Sequence, residues 1–297
     1  MTDGPTGSTV PRRQLGRYLR DLRNNARLTV RAAALKLEWS EAKMWRIETG
    51  QTSLRSLDVE AMCKIYGAPP DLTEGLMALA KETKAKGWWH AYGDVIPEWL
   101  DLFIGLEEAA TRISWYEDVL VPGLMQCEEY ARTIIRAHLP HQEADEIERR
   151  VHVRIARQAL LTRATDPTNL RVALNEAVVH RPIGGNRVMA AQLRHIVTVG
   201  DLPNVSVRVV PFGAGLFPGV LSGPFVALRF PTGKDGRHTE PPTVYADSYT
   251  GALYLDKPNE VERYETAFTN IWEMALDEED SRRLISEVAG SYERQHG

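Results

Sequence analysis

The sequence predicts an α+β chain in two unequal parts: an all-helical head of five short helices, then a larger domain of mixed helices and strands. Three observations carry this. Residues 1–70 repeat apolar side chains at helical spacing, with turn residues between the runs. Strand-like runs bounded by Pro, Gly and Asn begin only at Leu170, grouped late and unevenly between helices, which favours α+β over a doubly wound α/β sheet. Charge divides in the same way. Residues 1–70 hold 12 Lys and Arg against 7 Asp and Glu, and the rest hold 24 against 33, within a net charge of −4. The expected divisions are 1–11 as a flexible N-terminus, 12–70 as the head, 71–97 as a helical junction and 98–297 as the body.

In the head, Leu15, Tyr18, Leu19 and Leu22 fall at i, i+3, i+4 and i+7 and mark an amphipathic helix from Arg12 to Ala26. Thr29 can cap a second helix with Val30, Ala33, Ala34 and Leu37 on one face. After Glu38-Trp39, Ser40 caps a third through Glu48, which Thr49-Gly50 ends, Gly taking a left-handed cap at little cost. Val59, Met62, Cys63 and Tyr66 mark a fourth, with Cys63 as core, stopped by Gly67 and Pro69-Pro70. A fifth runs from Leu72 to Lys86. Two small helices joined by so short a turn are the helix-turn-helix arrangement, in which the first braces the second against DNA. Between Arg12 and Arg55 there are 11 basic residues against 4 acidic ones, so the partner expected for the head is a polyanion, double-stranded DNA.

In the body, helices are expected over Pro97–Ser114, Glu128–His138, Gln142–Thr162, Arg187–Val199, Asn259–Leu276 and Glu278–Gln295. Strands are expected over Leu170–Leu174, Val205–Val210, Phe225–Phe230, Thr243–Ala246 and Ala252–Leu255. The charged, proline-bearing stretch Gly233–Pro242 reads as a mobile loop.

Several classes are excluded. No apolar run nears the roughly 18 residues of a membrane span, and polar Met1–Val10 lacks a signal-peptide layout, so a cytoplasmic protein is expected. Two cysteines, Cys63 and Cys127, make no disulfide framework or cysteine-rich zinc site. His138 and His141 lack a third ligand and read as surface residues. Gly213-Ala-Gly215 continues to Pro218 and a strand rather than to a third Gly and a helix, unlike a dinucleotide loop. Ser222 lies in Ser-Gly-Pro, not in a nucleophile elbow. No catalytic residue, metal or cofactor is expected.

Leu28-Thr29, Ala33-Ala34, Leu37, Ser40, Met44, Ile47-Glu48 and Gly50 resemble the Xre/phage-repressor-like helix-turn-helix family, with Trp45 standing where a smaller polar residue is commoner. Glu107-Glu108-Ala109-Ala110, Pro122-Gly123-Leu124-Met125-Gln126, Glu129-Tyr130-Ala131 and Asn175-Glu176 resemble an actinobacterial group that joins such a head to a large, poorly characterised C-terminal domain. The resemblance implies an antitoxin-like transcriptional regulator paired with a small acidic partner protein encoded nearby.

The third helix is then the reader of DNA. Glu41 could accept from a cytosine amino group, Arg46 could fork onto guanine and Ala42 suits a thymine methyl, against the alternative of a solvated face. Lys43, Arg31, Lys36 and Arg55 are candidates for backbone phosphates, or else solubilising charge. In repressor-like heads the position of Glu48 pairs with an arginine of the first helix, a place Arg23 occupies, and this implies a structural ion pair. Trp88, Trp89, Tyr92 and Trp99 read as inter-domain core rather than a base-stacking platform, because Asp94, Glu98 and Asp101 around them repel phosphate. In the body, Arg154, Arg157 and Gln158 share a helix face that Glu176 could meet, as a satisfied internal network or as a ligand or partner pocket. The expected function is a homodimeric DNA-binding regulator whose body dimerises and binds a small partner or ligand. The alternatives are an enzyme using Glu176 and Arg157, or mainly an antitoxin-like binder.

Overall fold

The computed structural model describes residues 9–83, 91–92, 94–96, 98–232, 239–248 and 251–295. They form two compact units, one running to Ala109 and taking in Thr232–Glu240, the other comprising Ala110–Pro231 with Pro241 onward. The sequence reading set the start of the body at 98.

The first unit opens with α1 (Thr9–Asn25), α2 (Val30–Lys36), α3 (Glu41–Glu48), α4 (Ser56–Tyr66) and α5 (Pro70–Glu82), with α6 (Glu98–Ala109) after them. Helix α1 starts at Thr9 rather than Arg12: Val10 is buried, and Pro11 is tolerated in a first turn whose amides lack helical acceptors. Leu15 and Leu19 of α1, Ala33 and Ala34 of α2, Met44 and Ile47 of α3 and Val59, Met62 and Cys63 of α4 make one core. The chain approaches itself most closely where α1 crosses the end of α3. A Cβ on Gly16 would lie 2.5 Å from the Ile47 carbonyl oxygen, and Gly50, at φ +73°, sits against the Arg13 backbone. Of the loop expected to be mobile over 233–242, residues 233–238 lie outside the described residues. Glu240 is fully buried and accepts from Arg17 Nη1 at 2.7 Å, with Arg13 Nε 3.0 Å away. Burial of a carboxylate requires such partners. Trp88, Trp89 and Lys84–Lys86, the N-terminal eight residues and the Trp99 side chain also lie outside the described residues.

The second unit is built on a six-stranded sheet in the order β3-β2-β1-β4-β5-β6, with β1 (Arg112–Glu117), β2 (Asn169–Asn175), β3 (Val205–Val210), β4 (Phe225–Arg229), β5 (Thr243–Ser248) and β6 (Gly251–Leu255). β1, β2 and β3 are parallel; β4, β5 and β6 are added antiparallel on the other side of β1. Parallel pairs need long crossovers, and α7 (Glu128–His138) with α8 (Ala144–Ala156) supplies the first, α9 (Glu176–His180) with α10 (Gly185–Val199) the second. α11 (Pro218–Ser222) precedes β4, and α12 (Pro258–Met274) and α13 (Glu278–Arg294) close the chain. Val261, Phe268, Ile271 and Trp272 of α12 pack on Tyr116, Ala173, Phe225, Ala227 and Val244 of one sheet face.

Two expectations are corrected. The helix drawn over Pro97–Ser114 ends at Ala109, and β1 follows it in the middle of the sheet. Ile113, Trp115 and Tyr116 are buried on both faces, so this strand lacks the alternation that marks a half-buried one. The helix drawn over Gln142–Thr162 ends at Ala156 and tightens into a 3-10 segment over Arg157–Leu161.

Candidate nucleic-acid interface

α2 and α3 are separated by Leu37–Ser40, a turn narrow enough to need Glu38 at φ +56°. Thr29 accepts from the Ala32 amide at 3.1 Å and Ser40 from the Lys43 amide at 3.2 Å, so both helices start on side-chain caps. Met44, Ile47 and Glu48 turn inward; Glu41, Ala42, Trp45 and Arg46 are exposed. Neither Glu41 nor Arg46 has a side-chain hydrogen bond or ion pair among the described residues, and the same holds for exposed Arg31 and Lys36 on α2.

The inner side of α3 is held by charge. Arg23 Nε donates to Glu48 Oε1 at 2.6 Å and Nη2 to Oε2 at 2.7 Å, while Nη1 reaches the Leu28 carbonyl at 2.8 Å and Asn24 Oδ1 at 2.9 Å. Both residues are buried, and the fork matches guanidinium to carboxylate in two parallel bonds. The hydrogen bond to Glu48 raises the pKa of Arg23 further. Burial, with the Glu48 charge nearby, lifts the Tyr66 hydroxyl above its ordinary range. This pair orients α3; it does not face outward.

Two phosphate candidates are partly engaged. Lys43 Nζ lies 3.5 Å above the Trp39 ring centre, a cation–π contact across the turn. Arg55 grips Asp58 through Nε and Nη2 at 3.0 and 3.1 Å, which holds the Asp58 carboxyl below its usual range. Trp45, at 55 % exposure, is the residue that the sequence reading left out of the interface, although its departure from the resemblance marks it. A large aromatic side chain on an outward helix face has apolar area to offer a partner.

In the body the expected polar set divides. Arg154 Nη1 donates to Gln126 Oε1 at 3.1 Å and Gln158 Nε2 to the Gln126 carbonyl at 2.6 Å, with buried Arg157 against the turn at Gly123. Gln192 finishes the turn, donating to the Met125 carbonyl at 2.6 Å and accepting from the Cys127 amide at 2.8 Å. Glu176 is elsewhere: it accepts from the Phe212 amide at 2.6 Å and lies 3.3 Å from His180. These four residues therefore do not converge. Burial displaces the carboxyls near the end of β1: Glu117 is pushed up to about 8, with the Asp247 and Asp118 charges adding to burial while Trp115 Nε1 donates to it at 3.1 Å, and burial raises Asp118 and Asp247 as well. Sequence reasoning missed them, because nothing local signals that the strand end is covered. Among the described residues no His, Cys, Asp and Glu group is arranged to hold a metal, and no helix is long and apolar enough to cross a membrane.

A capped pair of short helices, braced inside and carrying free charge outside, is the helix-turn-helix arrangement, which suggests a DNA-binding regulator. A family described as Helix-turn-helix domain matches residues 14–76. Over residues 100–287 the chain matches the family described as Domain of unknown function (DUF5753), and it belongs to that family. No curated protein and no solved structure matches it.

Proposed function

We propose that the protein is a sequence-specific, homodimeric transcriptional regulator that lays α3 in the major groove. The carrying observation is that Glu41, Ala42 and Arg46 stand outward without partners while Arg23 and Glu48 lock the opposite side. Arg46 is suited to guanine, Glu41 to cytosine and Ala42 to a thymine methyl, with Arg31 and Lys36 on phosphates and Lys43 in reserve at Trp39. A single short head buries too little for tight specific binding, so the reading assigns the body to dimerisation and to a small partner protein or ligand. Exposed Phe212, Leu216, Val220 and Leu221, close together in sequence, support an interaction face there. Half-sites would lie about 34–36 Å apart, or a multiple of that. The reading gives the chain no catalytic chemistry and places it in the cytoplasm.

Footprinting of the DNA upstream of its own coding region, parent beside Arg46→Ala, tests this. Protection in the parent that loses discrimination at one base pair per half-site supports it; identical footprints remove Arg46 from the readout, and no footprint removes the operator.

A further inference from the structure

The sheet register gathers three arginines far apart in sequence. Ser114, Arg171 and Ser206 form one row across β1, β2 and β3. Arg112 lies one row to one side of Arg171, beside Asn169, and Arg208 one row to the other side, beside Ala173. Directly paired residues and their second neighbours along a strand share a face, so all three arginines leave the sheet on the α12 side. There Arg171 Cζ lies 4.1 Å from the Trp272 ring centre and 5.5 Å from that of Phe268, and Arg208 Cζ lies 4.7 Å from Trp272. Trp272 thus fixes two guanidiniums in place.

None of the three has a carboxylate within ion-pair distance among the described residues. This sets them apart from other arginines of the body. Arg229 is forked to Glu265 at 2.7 Å through both nitrogens, Arg194 to Glu293 at 3.0 and 2.9 Å, and Arg132 to Glu148 at 2.6 and 2.7 Å. In a domain rich in carboxylates, three neighbouring cations form no ion pair among the described residues. Arg208 Nε is buried and has no hydrogen-bond acceptor. Burial first, then the charges of Arg112 and Arg208, lower the pKa of Arg171, against a smaller raising effect of the Glu278 charge. Buried donors are rarely left unsatisfied in folded proteins, and an exception asks for an acceptor from outside the chain.

We propose that Arg112, Arg171 and Arg208 form a binding site for a compact, doubly charged oxyanion, a phosphate group on a small molecule. Guanidinium forks match tetrahedral oxyanions in geometry as well as charge. The surroundings limit the size of the ligand. Glu265, joined to Arg229, borders the patch on the β4 side, and Glu278, hydrogen-bonded to Ser206, borders it on the β3 side. An extended polyanion such as nucleic acid would be repelled by both carboxylates, which favours a compact anion. Trp272 is already covered by guanidiniums, so recognition here rests on charge and not on base stacking. The site is independent of the head and of DNA binding.

The test is calorimetric titration of the full-length protein with inorganic phosphate and with pyrophosphate, ionic strength held by chloride, together with thermal melts. One saturable site is expected, weakened at least about tenfold by Arg171→Gln or Arg208→Gln and unchanged by Arg132→Gln, whose arginine is paired with Glu148 between α7 and α8. Without phosphate, Arg171→Gln should melt no lower than the parent, since it relieves crowding; a purely structural arginine would give the opposite sign. Arg112→Gln, on the exposed rim, serves if a buried substitution prevents folding. No saturable binding beyond the chloride control, or equal binding by parent and the row variants, would overturn the site.

Discussion

In the head, Arg23 is closed into four hydrogen bonds while Arg46, on the outer face of the helix that Arg23 holds, has none. In the body, Arg154 and Gln158 are tied to the Gln126 turn, while Arg171 and Arg208 rest on an indole without a carboxylate. The residue types are the same in each case; satisfaction separates them. A polar side chain whose donors are filled from within its own domain serves the fold, and one left open on a rigid element is available to a partner.

The contrast breaks most visibly at Glu48. Glu48→Ala leaves Arg23 buried with an unpaired charge, at a cost of about 3–5 kcal/mol at the buried limit, and the head should melt earlier by circular dichroism. A melt matching the parent would make the pair dispensable. Glu117 sharpens the comparison through pH. Its folded-state pKa, raised to about 8, means that the folded chain keeps a proton the unfolded chain has already lost, so stability falls as pH rises from the ordinary carboxyl range through about 8. Glu117→Gln removes this loss: its advantage over the parent in denaturant melts should grow between pH 5 and pH 9, by about 1.4 kcal/mol per unit of displacement. A constant difference across that range would mean Glu117 ionises normally.

Smaller effects follow on DNA. Arg31→Ala, at an outward charge with no partner, should weaken binding evenly across sequences and flatten the salt dependence by about two units of slope, one for each head. For two heads each neutralising three or four phosphates the parent slope of log K against log salt is expected at about −5 to −7. Arg55→Ala should matter least, within about twofold in Kd, because Asp58 already competes for that guanidinium. If Arg55→Ala outweighs Arg31→Ala, satisfaction within the fold is a poor guide to what DNA uses.

Periodicity made local structure legible. The expected helix over Glu128–His138 and strand over Val205–Val210 have the observed bounds, because caps, apolar spacing and β-branched runs all act within a few residues. β1 was not legible, since a strand buried on both faces imitates a buried helix continuation. In the candidate site, the outward positions of Glu41 and Arg46 follow from helix phase alone. The Lys43–Trp39 contact depends on the turn geometry, and the Arg55–Asp58 pair, although at i, i+3, went unread. Glu117 and the Arg171–Arg208 pair were out of reach, because burial and register across strands far apart in sequence create them.

The central claim, that the outer face of α3 reads base edges, is tested most directly by a cycle between protein and DNA. Kd would be measured at fixed salt for the parent and Arg46→Ala on the footprinted duplex and on duplexes altered one base pair at a time. The account predicts a coupling of about 1–3 kcal/mol between Arg46 and one guanine per half-site, with the other pairs additive. Additivity at every base pair would contradict it.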